Sequence, residues 1–188
     1  MENSRNLHDK RSTTTIDPEG DVVLEFDKER LLVSSKVLSL ASPVFAPMLK
    51  GPFKEGIKPK LTSNEPSAIS LPGDDADAFI LLCNIVHFRS EVIPQKLDIS
   101  CLEKITIICD KYQCTGAVTS YSILWIQSLI RAASSKDLNK LLLVCYTLNL
   151  SESFSVISWE ILLQHPGSFA DLPGLTDHPL VRHDLLGG

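Results

Sequence analysis

The order of apolar patterns along the chain most constrains its fold, because short strand-like segments come first and longer segments with helical spacing follow. Residues 21–27 (DVVLEFD) and 30–35 (RLLVSS) are typical of two short strands, and the turn residues at 27–29 predict a hairpin between them. Residues 68–71 (AISL) predict a third strand. Since local contacts dominate the second half of the chain, the whole pattern predicts an α+β fold with about three strands.

Three early helices follow from caps and apolar content. A first short helix is expected from Lys36, and Ser42 before Pro43 is typical of the N-cap of a second one, PVFAPML. Either Asp74 or Asp75 is expected to cap the next helix, ADAFILLCNIVHF. This segment is apolar almost all round, so we expect the helix to be buried.

The later segments have apolar residues at helical spacing. Residues 102–113 predict an amphipathic helix, and residues 117–133 predict a second one. The apolar face of the first helix consists of Leu102, Ile105, Ile108, Cys109 and Tyr112, and that of the second consists of Val118, Tyr121, Trp125 and Ile130. Residues 136–150 and 153–165 predict an antiparallel helical pair, because only a few residues connect them.

The 188 residues are enough for one domain, or for one domain with a helical extension. We expect a disordered tail at 1–18, the main domain at 19–130, and a helical extension with an irregular C-terminal tail at 131–188. Residues 50–67, rich in Gly, Pro, Lys and Ser, are expected to form a loop. We expect neither a signal peptide nor a membrane span, and therefore a cytoplasmic or nuclear protein.

The charged and nucleophilic residues do not form a recognisable catalytic pattern. A net charge of −5 gives no general attraction to nucleic acid or anionic lipid. The histidines are scattered and are expected to be solvated: His8, His87, His165, His178 and His183. In the alternative, the last three would meet at a metal, but their spacing fits no familiar site. We therefore expect no enzyme, no cofactor and no metal.

The cysteines are odd in number and include no CxxC pair: Cys83, Cys101, Cys109, Cys114 and Cys145. Three of them lie among periodic apolar residues, which favours reduced, buried thiols. We interpret Cys109 and Cys114 as one core residue and one surface thiol rather than as a redox pair.

Three stretches of the chain, in this order, resemble the BTB/POZ family. Residues 20–49 (GDVVLEFDKERLLVSSKVLSLASPVFAPML) look like its opening hairpin and helix pair, and residues 69–87 (ISLPGDDADAFILLCNIVH) resemble its third strand and next helix. Residues 102–118 (LEKITIICDKYQCTGAV) are similar to the following helix, with its Asp-Lys-Tyr core. The resemblance covers residues 20–130, looks most like the BTB proteins of filamentous fungi, and implies a small sheet capped by helices. The helices at 136–165 are similar in position to the extension that often follows.

The resemblance implies a non-enzymatic protein-interaction module. Family members dimerise, recruit partners to transcription complexes, or bridge substrates to the cullin of a ubiquitin ligase. Cullin-binding members carry a hydrophobic-x-Glu motif just past the Ser-Pro-Val-Phe helix, where this chain has Phe53-Lys54-Glu55. Phe53 would be buried by the partner and Glu55 would accept hydrogen bonds from it. In the alternative, Phe53 folds back on its own domain and Glu55 is a solvated loop charge.

Two differences from the family pattern change what the resemblance implies about dimerisation and about a repressor role. Dimeric members usually swap an amphipathic helix before the first strand, but residues 1–19 offer only Leu7 and Ile16 as large aliphatic residues. A swapped-helix dimer is therefore not expected, although an oligomerising structural or transcription-regulatory scaffold stays an alternative. Transcriptional members also pair the first-strand aspartate with a basic residue. Here Asp21 is present, but Ser34-Ser35 stands where those members have a histidine followed by the basic residue, and Lys36 lies one position later, which argues against a repressor role.

Overall fold

The computed structural model describes residues 12–50, 66–164 and 179–180. Within these ranges a four-stranded sheet lies with seven α-helices, so the predicted α+β class is confirmed. The strands are β1 (Ser12–Thr15), β2 (Val22–Glu25), β3 (Glu29–Val33) and β4 (Ser67–Ser70). The helices are α1 (Ser35–Ala41), α2 (Phe45–Lys50), α3 (Ala76–Val86), α4 (Ile99–Lys111), α5 (Thr115–Ile130), α6 (Ser135–Thr147) and α7 (Ser151–Gln164), and a 3-10 turn covers Ser90–Val92.

Strands β2 and β3 form the predicted antiparallel hairpin. Leu24 is paired with Leu31, and Val22 with Val33. All four side chains are fully buried, because alternate residues of a strand point to the same face of the sheet. Parallel to β2 lies β4, which confirms the strand predicted at AISL and adds the buried Ile69 to this face.

The sheet has one strand more than predicted, and the extra strand lies in the expected disordered tail. β1 pairs in parallel with β3 and forms one edge of the order β1-β3-β2-β4. Ile16, directly after β1, is buried in the core. The disordered-tail prediction is therefore wrong for Ser12–Ile16, while residues 1–11 lie outside the described part. The four residues STTT lack apolar alternation, so β1 depends on backbone pairing with a strand that is distant in sequence.

Serine side chains cap the first two helices, and the cap predicted for the second one, Ser42, is confirmed. The hydroxyl of Ser34 caps α1 by accepting from the N–H of Val37. Ser42 accepts hydrogen bonds from the N–H groups of Val44 and Phe45, both at 3.1 Å. Its hydroxyl also donates to the carbonyl oxygen of Tyr112 at the end of α4, which ties the α1–α2 corner to that helix.

Helix α3 is mostly buried, as its composition predicted, and α4 buries the predicted face. An aromatic cluster joins the sheet to both helices. Phe79 packs 5.2 Å from Phe26 and 5.2 Å from Tyr112, between ring centroids. Phe45 stacks on Tyr112 with ring centroids 4.5 Å apart.

Helices α6 and α7 are the predicted helical pair, and a three-residue connection at 148–150 joins them. Buried residues of both belong to the same core as the sheet, notably Leu141, Val144 and Ile157. Lys140 of α6 also bonds to Glu103 of α4 at 2.9 Å. The core is thus continuous across residue 130, and the division of the chain there stays a prediction.

Candidate protein-interaction site

The residues predicted to contact a cullin, Phe53 and Glu55, lie outside the described residues, as does the whole of segment 51–65. Their role stays a prediction. The described neighbours show only that this segment connects the end of α2 with the edge strand β4.

A groove of about 820 Å³ opens between α1, the end of α3 and the first half of α5. Most of its lining is apolar. The side chains that matter below are Leu40 on α1, Phe88 after α3 and Tyr121 on α5, together with His87. The groove is formed by four segments that are distant in sequence, since residues 16–17 also line it, so no single stretch of the chain reveals it.

Two large apolar side chains of this groove face solvent. Leu40 is 81% exposed and Phe88 is 90% exposed. A single exposed apolar residue is ordinary on a protein surface, but two that line one apolar groove form a patch of the kind that binds other proteins.

The backbone of Phe88 is in the left-handed region, with φ of 58°. Its N–H bonds to the carbonyl of Ile85 at 3.1 Å, and the N–H of Arg89 bonds to the carbonyl of Asn84 at 2.9 Å. This pair of bonds ends α3 in a Schellman motif, in which glycine or asparagine normally occupies the left-handed position. A bulky aromatic residue there is an outlier.

The same motif ends α4 at Gln113 and α6 at Asn149, with φ of 51° and 56°. Asparagine is the most tolerant of the three in this conformation and phenylalanine the least. Phe88 is not recognisable as a functional residue from the sequence, because there it reads as the last apolar residue of a buried helix. The available signal was its position between His87 and Arg89, two polar residues at the end of the helix.

His87 is not the solvated residue that was predicted. Its Nε2 accepts a hydrogen bond from the N–H of Ser34 at 3.1 Å, and its Nδ1 lies 2.8 Å from the carbonyl oxygen of Cys83. Because a carbonyl can only accept, Nδ1 carries the proton and the ring is neutral. The other histidines, His8, His165, His178 and His183, lie outside the described residues.

Burial lowers the pKa of His87 from its ordinary value of 6.5, since the charged imidazolium would lose water. The hydrogen bond to Cys83 and the nearby carboxylate of Asp17 act in the opposite direction, while Arg89 adds to the lowering. The neutral ring therefore persists to lower pH than in an unfolded chain.

Asp21 binds the start of α1 instead of a basic residue. Its two carboxylate oxygens accept from the N–H of Ser35 at 2.7 Å and from the hydroxyl of Ser35 at 2.6 Å. Ser35 thus satisfies this carboxylate itself, with both its backbone N–H and its hydroxyl.

The two neighbouring aspartates have different roles. Asp75 caps α3 by accepting from the N–H of Ala78 at 3.0 Å, and its pKa is lowered. Burial opposes this lowering, but the hydrogen bonds from Lys104 and Ala78 outweigh it. Asp74, with a side chain 7% exposed, accepts from Lys111 at 2.7 Å and from the hydroxyl of Tyr112 at 2.6 Å. The structure therefore decides between the two predicted caps in favour of Asp75.

All five cysteines are free thiols, and four of them are buried. The prediction of a surface thiol at Cys114 is wrong, because Cys114 is buried and only 4% exposed. The two are the paired positions of the Schellman motif that ends α4, with the N–H of Cys114 bonding to the carbonyl of Cys109 at 2.9 Å. The Cys109 thiol donates a hydrogen bond to the sulfur of Cys114, and this bond together with burial raises the pKa of Cys109, which keeps it protonated.

Among the described residues, no three His, Cys, Asp or Glu side chains come together as metal ligands would. Within the same ranges, no helix has the length and apolar content needed to cross a membrane. What the groove offers chemically is apolar surface for another molecule to cover.

Comparison with known proteins found no family model and no curated protein that matches this chain.

Proposed function

We propose that this chain is a non-enzymatic protein-interaction module of the BTB/POZ type, which binds a partner through the groove between α1, α3 and α5. The order of its elements supports the proposal. The hairpin β2–β3, the short helices α1 and α2, strand β4 and helices α3 to α5 follow one another as the resemblance implies. The pair α6–α7 stands where the family's helical extension would stand.

The observation that carries this proposal is Phe88. A left-handed backbone costs a non-glycine residue about 1–2 kcal/mol, and a side chain that is 90% exposed packs against little of its own chain. Residues that lower stability in this way concentrate at binding sites. Phe88 therefore fits a residue that a partner covers.

The expected gain on binding is of the right size for an interface. Covering an exposed phenylalanine or leucine side chain contributes roughly 1.5–3 kcal/mol, which is the scale of an interface hot spot. Leu40 and Phe88 line the same groove, so a single partner segment can cover both.

The finer proposal is that the module is a substrate adaptor for a cullin-based ubiquitin ligase. An adaptor needs two surfaces, and the chain offers two candidates. Phe53 and Glu55 would contact the cullin, while the groove with Leu40 and Phe88 would hold the recruited protein.

Calorimetric titration with a cullin N-terminal domain tests the adaptor proposal. Phe53→Ala and Glu55→Ala should each abolish or strongly weaken binding, whereas Lys54→Ala, at the position that the motif leaves free, should not. Phe88→Ala should leave cullin affinity unchanged if the groove serves the other partner. Binding that is absent, or that is unaffected by both Phe53→Ala and Glu55→Ala, removes the adaptor proposal.

A second candidate function is an oligomerising scaffold without a link to a ligase. The projecting Phe88 and the groove beside it lie on one surface, and such a surface can be self-complementary about a two-fold axis. Light scattering over a wide concentration range decides this case. A mass that rises with concentration, and that Phe88→Ala returns to the monomer value, supports it, and a strict monomer excludes it.

A further inference from the structure

Helix α7 is apolar on two opposite faces. Ile157 and Ile161 are buried in the core, whereas Val156, Trp159 and Leu163 are 52%, 63% and 66% exposed. Spacings of three and four residues place the exposed three in one line along the helix. We call these three residues the α7 stripe. A helix with apolar residues on both sides normally has both sides covered.

A groove runs beside the α7 stripe. It lies between α5 and α7, has a volume of about 480 Å³, and is lined by Ile123 and Ile130 of α5 and by Val156 of α7. Val156 belongs to both features, so the stripe adjoins this groove, whose lining also includes several polar side chains. Glu152 lies in the same groove.

The charges that α7 itself carries have one sign. Glu152 and Glu160 are the only charged residues of α7, which has no lysine or arginine. In the described part of the chain, neither carboxylate takes part in a salt bridge. A partner that covers the stripe would place its own charges beside these two carboxylates.

We infer that the α7 stripe and the α5–α7 groove bind a basic amphipathic helix of a partner protein. Its apolar residues, three and four apart, would pack on Val156, Trp159 and Leu163 in the helix-in-groove mode. Its lysines or arginines would pair with Glu152 and Glu160, and one of them could lie over the indole ring of Trp159. This surface is separate from the groove at Phe88, and the inference does not rest on the function proposed there.

The acidic flanks argue against two other occupants. A second copy of the chain would bring Glu152 and Glu160 against the same two residues, which is unfavourable between like charges. An anionic membrane would meet the same repulsion, and the chain carries a net charge of −5. A cationic helix is the occupant that complements the surface.

The chain provides its own reporter for this interaction. It has two tryptophans, and Trp125 is buried with its indole N–H bonded to the carbonyl of Pro94 at 2.8 Å. Only Trp159 should respond when the stripe is covered, by a shift of its fluorescence to shorter wavelength. The probe is a synthetic peptide of about 14 residues with leucines on one helical face and lysines on the other.

Titration of the full chain with this peptide should give a saturable shift of Trp159 fluorescence that weakens as salt is added. Glu152→Gln combined with Glu160→Gln should weaken binding about fivefold, and Leu163→Ser should weaken it about tenfold. The matched control, Glu19→Gln with Asp27→Asn, removes the same charge from distant exposed positions and should leave binding unchanged. Phe88→Ala should also bind normally, which separates this inference from the proposed function.

Four outcomes would overturn the inference: no saturable shift, an equal shift with a scrambled peptide of the same composition, an equal shift with a leucine–glutamate peptide, or binding that ignores Glu152→Gln with Glu160→Gln. A shift that grows with protein concentration without peptide would assign the surface to a second copy instead. A shift caused by anionic phospholipid vesicles would assign it to a membrane.

Discussion

The Nε2 atom of His87 accepts a hydrogen bond from the backbone N–H of Ser34, and this contact joins the end of α3 to the start of α1. His87 precedes Phe88, and Ser34 caps the helix that carries Leu40. The neutral imidazole therefore connects the two segments that present the exposed side chains of the groove. Protonation of Nε2 would replace the acceptor with a donor that faces the N–H of Ser34.

This contact predicts a loss of stability in mild acid. The pKa of His87 is lowered in the fold, so between 6.5 and that lower value the unfolded chain takes up a proton that the folded chain does not. The contribution is complete above 6.5 and falls as the pH drops through this window, by at most about 1.4 kcal/mol per pH unit. Burial is the main cause of this window, and of the two charged neighbours Asp17 narrows it while Arg89 widens it.

Urea unfolding at several pH values between 7.5 and 5.5 checks this prediction. The wild-type chain should lose stability over this range, and His87→Gln should lose clearly less, because it has no proton to gain. Equal pH dependence of the two proteins would show that His87 is not the responsible group.

Phe88→Gly should raise the stability of the fold. It removes left-handed strain of about 1–2 kcal/mol, which stabilises the fold. The glycine also gives the unfolded chain more conformational entropy, which lowers stability by about 0.5–1 kcal/mol, so the net gain is about 0.5–1 kcal/mol. Thermal or urea unfolding measures it. Gln113→Gly should give a similar gain at the end of α4, whereas Phe88→Ala keeps the positive φ and should give none. A destabilised Phe88→Gly would mean that the ring packs on its own chain.

Asp74 should contribute more to stability than its neighbour Asp75. Asp74→Ala leaves the hydroxyl of Tyr112 and the ammonium of Lys111 without their acceptor, at a cost of about 2–3 kcal/mol. Asp75→Ala removes a helix cap, at a cost of about 1 kcal/mol. Unfolding of both variants, with a double-mutant cycle between Asp74→Ala and Tyr112→Phe, measures the difference. The reverse order of costs would show that the bonds of Asp74 to Tyr112 and Lys111 contribute less to stability than the cap at Asp75.

Native thiol labelling should show a single accessible cysteine. Cys101 is half-buried and the other four are buried, with burial raising the pKa of Cys83 and Cys145 to about 12. Ellman's reagent should therefore react with one thiol in a first phase and with the rest only on unfolding. Cys101→Ser should eliminate that phase, and a remaining fast thiol in this variant would contradict the burial of Cys114.

The hairpin, the strand at AISL and the helices were predictable because each has a local signal. Short apolar runs joined by turn residues indicate β2 and β3, helical spacing indicates α4 and α5, and Ser42 is a cap that the sequence reveals. These signals depend on residues close together in the chain, so they can be recognised without knowledge of the fold.

The candidate site was less predictable, because it depends on contacts between distant residues. β1 forms by pairing with β3, which is distant in sequence, and β1 has no apolar pattern that would predict a strand. Phe88 becomes exposed only because α3 ends at Val86 and the backbone then turns through a left-handed residue at position 88. Tyr112, at the end of a different helix, donates a hydrogen bond to Asp74, and this contact leaves Asp75 to cap α3.

The most direct test of the central claim is photo-crosslinking from position 88 in native cells or extract, with Phe88 replaced by the aromatic photo-crosslinker benzoylphenylalanine. The same replacement at Leu124, an exposed apolar residue of α5, is the control. The account predicts a discrete protein adduct at position 88, of a partner or of a second copy, that is absent at position 124. No adduct at position 88 above the level at position 124 would contradict it.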